Sequence, residues 1–121
     1  MTATLAAYRE LIDRALEHSS GTHTFDDIAA NVDARLMQAW RGERAIVVSA
    51  ILTNPRCLEL HFFLAAGDID EVLELEAEAC GWGRVHGCTR ASFIGRHGWQ
   101  RHQGIKGAGW APTHTVFMKD L

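Results

Sequence analysis

The residues best equipped for chemistry stand together late in the chain, in Gly95-Arg96-His97-Gly98-Trp99-Gln100-Arg101. Two arginines and an indole at this spacing suit anions, nucleobases or protein hot spots. The glycines let the backbone come close to a ligand or a neighbouring strand. Arg96, His97, Trp99 and Arg101 are therefore the candidate ligand- or partner-binding residues. A structural assignment fits the same spacing: Trp99 fills the core and both arginines pair with the acids of residues 68–78.

Other groups point to chemistry less directly. Cys80-x5-His86-x-Cys88, followed by His97 and His102, gathers metal-ligand types without the regular spacing of a structural zinc site. Cys80 falls on an apolar helix face, where a free cysteine behaves as a small hydrophobe, so no metal is expected. Cys88 and His86 share a face only if that stretch is extended. His61, on a strand between Glu59 and Phe63, is either a base or a half-buried sheet residue with local partners. No G-x-S-x-G, H-E-x-x-H or P-loop occurs, and no catalytic residue is assigned.

The elements that must position these residues follow from hydrophobic period. Residues 4–18 place Leu5, Tyr8, Leu11, Ile12, Ala15 and Leu16 at helical spacing, ending before Gly21. Thr24, with Asp27 three places on, opens a second helix as a variant capping box. Phe25, Ile28, Ala29, Val32, Leu36 and Trp40 continue its apolar face, with a break near Asp33, until Arg41-Gly42 closes it.

Then the period changes. AIVVSAIL (45–52) and CLELHFFLA (57–65), joined by Asn54-Pro55, predict an antiparallel hairpin. Leu58, Leu60, Phe62 and Leu64 share one of its faces, opposite Cys57, Glu59, His61 and Phe63. Asp68 with Glu71 caps a helix over 69–86 whose inner face is Ile69, Val72, Leu73, Ala77 and Cys80. Gly81 and Gly83 weaken that helix, and Gly87 ends it. TRASFI (89–94) is a strand parallel to the second, because such crossovers are right-handed. A short helix over 97–107 and a last strand, THTVFMK (113–119), complete the order.

Composition bounds the whole. With 121 residues, 47% hydrophobic and 22% charged, the chain reads as one domain, 1–121, with a real core. No apolar run approaches the ~18 residues of a membrane span. Arg and Glu enter too early for a secretory signal, and three cysteines argue against a disulfide scaffold, so a cytoplasmic setting is expected. A net charge of −3 excludes a globally basic nucleic-acid binder. That total hides a segregation: residues 68–78 carry six acids and no base, whereas 79–119 carry six bases and no acid.

Two N-terminal helices, a β-hairpin, a crossover βαβ unit, a short helix and a C-terminal strand make an α/β (α+β) mixed sheet. That order resembles the GNAT N-acetyltransferase fold, best over residues ~24–121. Trp99 to Gly109-Trp110 looks like the family's fourth helix and the glycine–aromatic pair before a terminal strand. CTRASFIGRHGWQR and GWAPTHTVFMKDL are also similar to small GNAT-like proteins of tailed phages and prophages.

The resemblance implies two features that the residues lack. The family's Q/R-x-x-G-x-G/A loop holds the acetyl-CoA pyrophosphate on backbone N–H groups at a helix N-terminus. Here that stretch is Leu64-Ala65-Ala66-Gly67-Asp68-Ile69-Asp70-Glu71, whose acids repel phosphate. The family's proton-donating tyrosine falls on Ile105, and the only tyrosine is Tyr8. The expectation is therefore a non-catalytic binding or virion-assembly protein without cofactor. Its partner would be a protein, a phage structural component or a second copy, in the cytoplasm or the virion. The alternative is an atypical acyl-CoA-dependent N-acetyltransferase that holds acetyl-CoA through the basic segment and Arg96 or Arg101. A nucleic-acid-binding accessory protein with Trp99 as stacking platform is a second alternative, and overall acidity counts against it.

Overall fold

The computed structural model describes residues 5–19 and 21–121, with the backbone but not the side chain of His97. A 3-10 turn, Ala6–Tyr8, leads into helix α1 (Arg9–Leu16), which buries Ile12 beside Leu5. Helix α2 (Phe25–Asp33) starts where the capping box placed it. Thr24 Oγ1 accepts from the Asp27 amide at 3.3 Å, and Asp27 accepts from the Thr24 amide at 2.9 Å.

After Asp33 the structure departs from the expected helical run through Trp40. Arg35 takes a left-handed φ of +62°, and the amides of Leu36 and Met37 both turn back to the Asn31 carbonyl. Gln38–Arg41 is strand β1. Trp40 explains the change, because its ring joins the opposite core and its N–H reaches the buried Ser49 hydroxyl at 2.9 Å. Leu36, counted as apolar face, is exposed.

Strands β2 (Ala45–Asn54) and β3 (Cys57–Gly67) form the expected hairpin, and β4 (Cys88–Phe93) runs parallel to β3. The sheet order is β1-β2-β3-β4. Between them, helix α3 (Ile69–Val85) crosses one face, and α1 and α2 cover the other. One feature of β3 breaks the predicted alternation. Val48 pairs with Leu64 but Ser49 pairs with Phe62, so Phe63 is an extra, bulged residue. Leu60 and Phe62 therefore pack under α3, whereas Leu64 joins Leu5, Ile12 and Ile28 under α1 and α2.

The inner face of α3 is Val72, Leu75, Ala79 and Gly83, a quarter-turn from the one expected; Ala77 is exposed. Full burial of each Val or Leu there contributes roughly 1.5–3 kcal/mol. Gly83 sets the approach of helix to sheet, since a Cβ there would lie 3.1 Å from Leu60 Cδ2. Gly87 ends the helix at φ +91°.

The predicted helix over 97–107 is split. His97–Arg101 is a 3-10 turn, and α4 is only Gln103–Gly107, capped by His102 Nδ1 accepting from the Gly104 amide at 3.1 Å. The expected last strand is absent: residues 111–121 carry no secondary structure, and Phe117 is 90% exposed. Strand propensity in THTVFMK finds no packed surface to act on. Among the described residues, no helix is long and apolar enough to cross a membrane.

Candidate active-site cleft

The parallel pairing of β3 with β4 ends at Phe62↔Phe93. Beyond it β3 continues to Gly67, while the chain after Phe93 leaves the sheet towards Arg96. The strands part, and a cleft of about 1340 Å³ opens between them. It reaches both faces of the sheet, because its walls include Arg14 and His18 of the α1 side and Leu73 and Glu76 of α3.

Aromatic rings build the wall beyond β4. Trp110 lies edge-on to Phe93 at 4.8 Å and to Phe62 at 5.9 Å between centroids. Its indole N–H donates to Glu76 Oε1 at 3.0 Å. Trp99 is half-buried, edge-on to Phe93 at 6.3 Å, and faces the cleft instead of filling the core. Arg96 is exposed on the same wall. Arg101 is exposed but does not line the cleft. The side chain of His97 lies outside the described residues. Among the described residues, neither Arg96 nor Arg101 forms an ion pair with the acids of α3.

The start of α3 is occupied by its own carboxylates. Asp68 accepts from the Glu71 amide at 3.1 Å, and Glu71 accepts from the Arg44 amide of the β1–β2 loop at 2.7 Å. Gly42 makes room for that carboxylate, since a Cβ at Gly42 would overlap it. The helix end that carries the three acids is thus also tied to the β1–β2 loop. Ile105 is buried on the cleft wall, and the Tyr8 hydroxyl is bound to the Gly42 carbonyl at 2.6 Å. No tyrosine lines the cleft among the described residues.

The cysteines take no visible part. Burial, with Glu76 3.5 Å from the sulfur, pushes the Cys80 thiol up to about 11, and burial also raises Cys88. Both stay protonated at neutral pH, which suppresses nucleophilicity. Among the described residues no three His, Cys, Asp or Glu side chains gather as a metal site. His61 sits half-buried on β3, on the face away from α3. Sequence reasoning missed Arg14, His18, Glu76 and the parting of the strands at Phe63; a bulge inside an apolar run leaves no periodic signal.

No family model matches the chain, and no curated protein matches it in sequence. Solved structures do. A Trypanosoma brucei acetyltransferase is 11% identical, with all of this chain and 95% of that one covered at a TM-score of 0.69. The aminoglycoside N-acetyltransferase AAC(6')-Iy, solved with CoA, is 13% identical over 98% of this chain and 89% of that one, with a TM-score of 0.67. An Agrobacterium tumefaciens protein described as a candidate acetyltransferase is 16% identical over 100% and 96% of the two chains, with a TM-score of 0.66. The chain has the GNAT fold, a mixed α+β architecture around a four-stranded sheet. These matches overturn the expected non-catalytic binding or virion-assembly protein and favour the acyltransferase alternative. They lend no support to a phage or prophage origin.

Proposed function

We propose that this chain is an acyl-CoA-dependent acyltransferase acting on an amine, with an unusual phosphate contact. The observation that carries the proposal is the cleft opened where β3 and β4 part, walled by Phe62, Leu73, Phe93, Trp99 and Ile105. A narrow arm with few charges suits such walls. The cleft meets both faces of the sheet, so two ligands can approach one point from opposite sides.

The fit to acyl-CoA is partial. The apolar walls accept the arm, but the start of α3 does not accept phosphates, because Asp68, Asp70 and Glu71 occupy it. Arg96 is the guanidinium on the wall without a carboxylate partner among the described residues, and it would hold the phosphates, with His18 and Arg14 across the cleft. Arg14 is already shared with Glu10 at 2.9 Å. When bound, acyl-CoA supplies an acyl group activated as a thioester.

Calorimetry with acetyl-CoA and with free CoA tests this reading. Saturable binding, weakened by Arg96→Ala and by added salt, is the expected result. Thiol release on adding spermidine or a short peptide with a free N-terminus would then establish transfer. Absence of binding to both acetyl-CoA and CoA overturns the proposal.

A further inference from the structure

The cleft is polarised across the sheet, and its α3 side holds a carboxylate with one oxygen uncommitted. Glu76, midway along α3, lines that side. Its Oε1 accepts from the Trp110 indole at 3.0 Å and from the Cys80 thiol at 3.5 Å. These two donors anchor one oxygen and leave the other for a ligand. Among the described residues, Oε2 takes no hydrogen bond and no ion pair includes Glu76. That oxygen is not sealed in the core, because Arg41 Nε is the single fully buried side-chain polar atom left unpaired among those residues.

A half-buried carboxylate between apolar walls attracts a cation more strongly than one on an open surface, because water screens it less. Leu73 stands one turn before Glu76 on the same helix face, and it lines the cleft together with Phe93 and Trp110. A methylene chain can pack on these three side chains without losing a hydrogen bond. The Trp110 ring also spans the gap from Glu76 to Phe62↔Phe93, the last pair before the strands part. Outside the cleft, α3 exposes Asp70, Glu74 and Glu78, with no base between residues 68 and 78, and this field draws cations to the same side. The opposite side differs. Glu17 is the only other carboxylate that lines the cleft among the described residues, and Arg14 and His18 accompany it.

We propose that the acceptor enters from the α3 side, and that Glu76 Oε2 binds a second ammonium group of an aliphatic polyamine. The proposal rests on the acyltransferase reading and names its substrate class. One ammonium pairs with Glu76, and the methylenes lie along Leu73, Phe93 and Trp110. Another amine of the same molecule extends to the point where β3 and β4 part. An amine with a single nitrogen cannot occupy both positions at once. Glu76 is therefore a specificity residue, which selects the acceptor and takes no part in the bond changes.

Calorimetry with spermidine and with butylamine, without acyl-CoA, tests the subsite on the intact protein. Spermidine is expected to bind at least ~tenfold more tightly than butylamine, and added salt should weaken it. Glu76→Gln keeps an oxygen for Trp110 and should cost about tenfold in spermidine affinity. Glu74→Gln removes the same charge from the exposed side of α3 and should cost less than about twofold. Equal losses in the two variants overturn the proposal, since a diffuse acidic field would then account for the binding. Equal affinities for spermidine and butylamine in the unaltered protein overturn it too, whether or not Glu76→Gln folds. In the thiol-release assay, Glu76→Gln should raise KM for spermidine about tenfold and keep kcat within about twofold. A loss in kcat alone overturns the specificity role. If spermidine binds as described and acetyl-CoA does not, the acyltransferase reading falls and the cation subsite stands. If acetyl-CoA binds and spermidine does not, the subsite falls alone.

Discussion

Trp110 donates its indole N–H to Glu76 across 3.0 Å, joining the chain after α4 to the middle of α3. This contact, with the ring's packing on Phe62 and Phe93, fastens the aromatic wall of the cleft to the helix opposite. Trp110→Phe should keep most of the packing and lose the hydrogen bond, at a cost of about 1 kcal/mol. Trp110→Ala loses both, and for this half-buried ring the cost should not exceed the ~3–5 kcal/mol of buried aromatic truncations. Urea denaturation measures the two losses. Hydrogen exchange should localise the change to residues 97–110.

The two glycines of α3 should respond oppositely to alanine. Nothing lies within 4 Å of a Cβ built at Gly81, so Gly81→Ala should stabilise by up to ~1 kcal/mol through helix propensity. At Gly83 the new methyl meets Leu60 at 3.1 Å and Cys88 at 3.6 Å, in a packed interior. Gly83→Ala should gain nothing or destabilise, because the helix must shift away from the sheet. Equal stabilisation by both changes in urea melts would contradict this packing.

Charge placement predicts where an acyl-CoA phosphate is met. Arg96→Ala should weaken acetyl-CoA binding about tenfold, or ~1.4 kcal/mol. Glu71→Gln should not weaken it, because Glu71 faces the β1–β2 loop and repels phosphate. Isothermal titration of both variants at two salt concentrations separates these effects. Loss of binding in Glu71→Gln with retention in Arg96→Ala would place the phosphates at α3 instead.

Cys80 carries a pH signature of its own. Its thiol is raised to about 11 in the fold, first by burial and then by Glu76. An unfolded cysteine ionises near ~8.5, so at higher pH the unfolded chain releases a proton that the folded one keeps. Stability from this group is complete below ~8.5 and is lost as pH rises through the folded value. The urea midpoint should therefore fall between about pH 9 and pH 11, and less so in Cys80→Ala. Disulfide reagents at pH 8 should modify Cys80 slowly.

Much of the fold was legible because local chemistry and global packing agree. Thr24 with Asp27, Asp68 with Glu71, and Gly87 each appear where a cap or stop was read. The hairpin and the parallel β4 followed from β-branched runs and crossover handedness. What escaped depends on contacts distant in sequence. Trp40 looked like the end of a helical stripe, yet the Ser49 hydroxyl and the α3 side of the sheet draw it into a strand. THTVFMK alternates like a strand, but alternation does not supply a neighbour. Within the cleft, the arginine–tryptophan cluster was visible from its residue types. Arg14 and the Glu76–Trp110 contact were not, because each partner comes from a separate element.

The bulge at Phe63 gives β3 one residue more than its pairing with β2 uses. Substitutions along Phe63–Gly67 change one side chain at a time. Removing Phe63 would restore simple alternation and leave Val48 opposite Leu64 and Ser49 opposite Phe62. Leu64 would stay with Leu5, Ile12 and Ile28, and Ala65 would stay on the α3 side. The cleft would lose the Phe63 ring and keep the register of β2 with β3. In a library containing both substitutions and single-codon deletions, loss of the Phe63 codon should be tolerated, whereas side chains at Gly67, where a Cβ would overlap the Arg44 carbonyl oxygen, should be rejected.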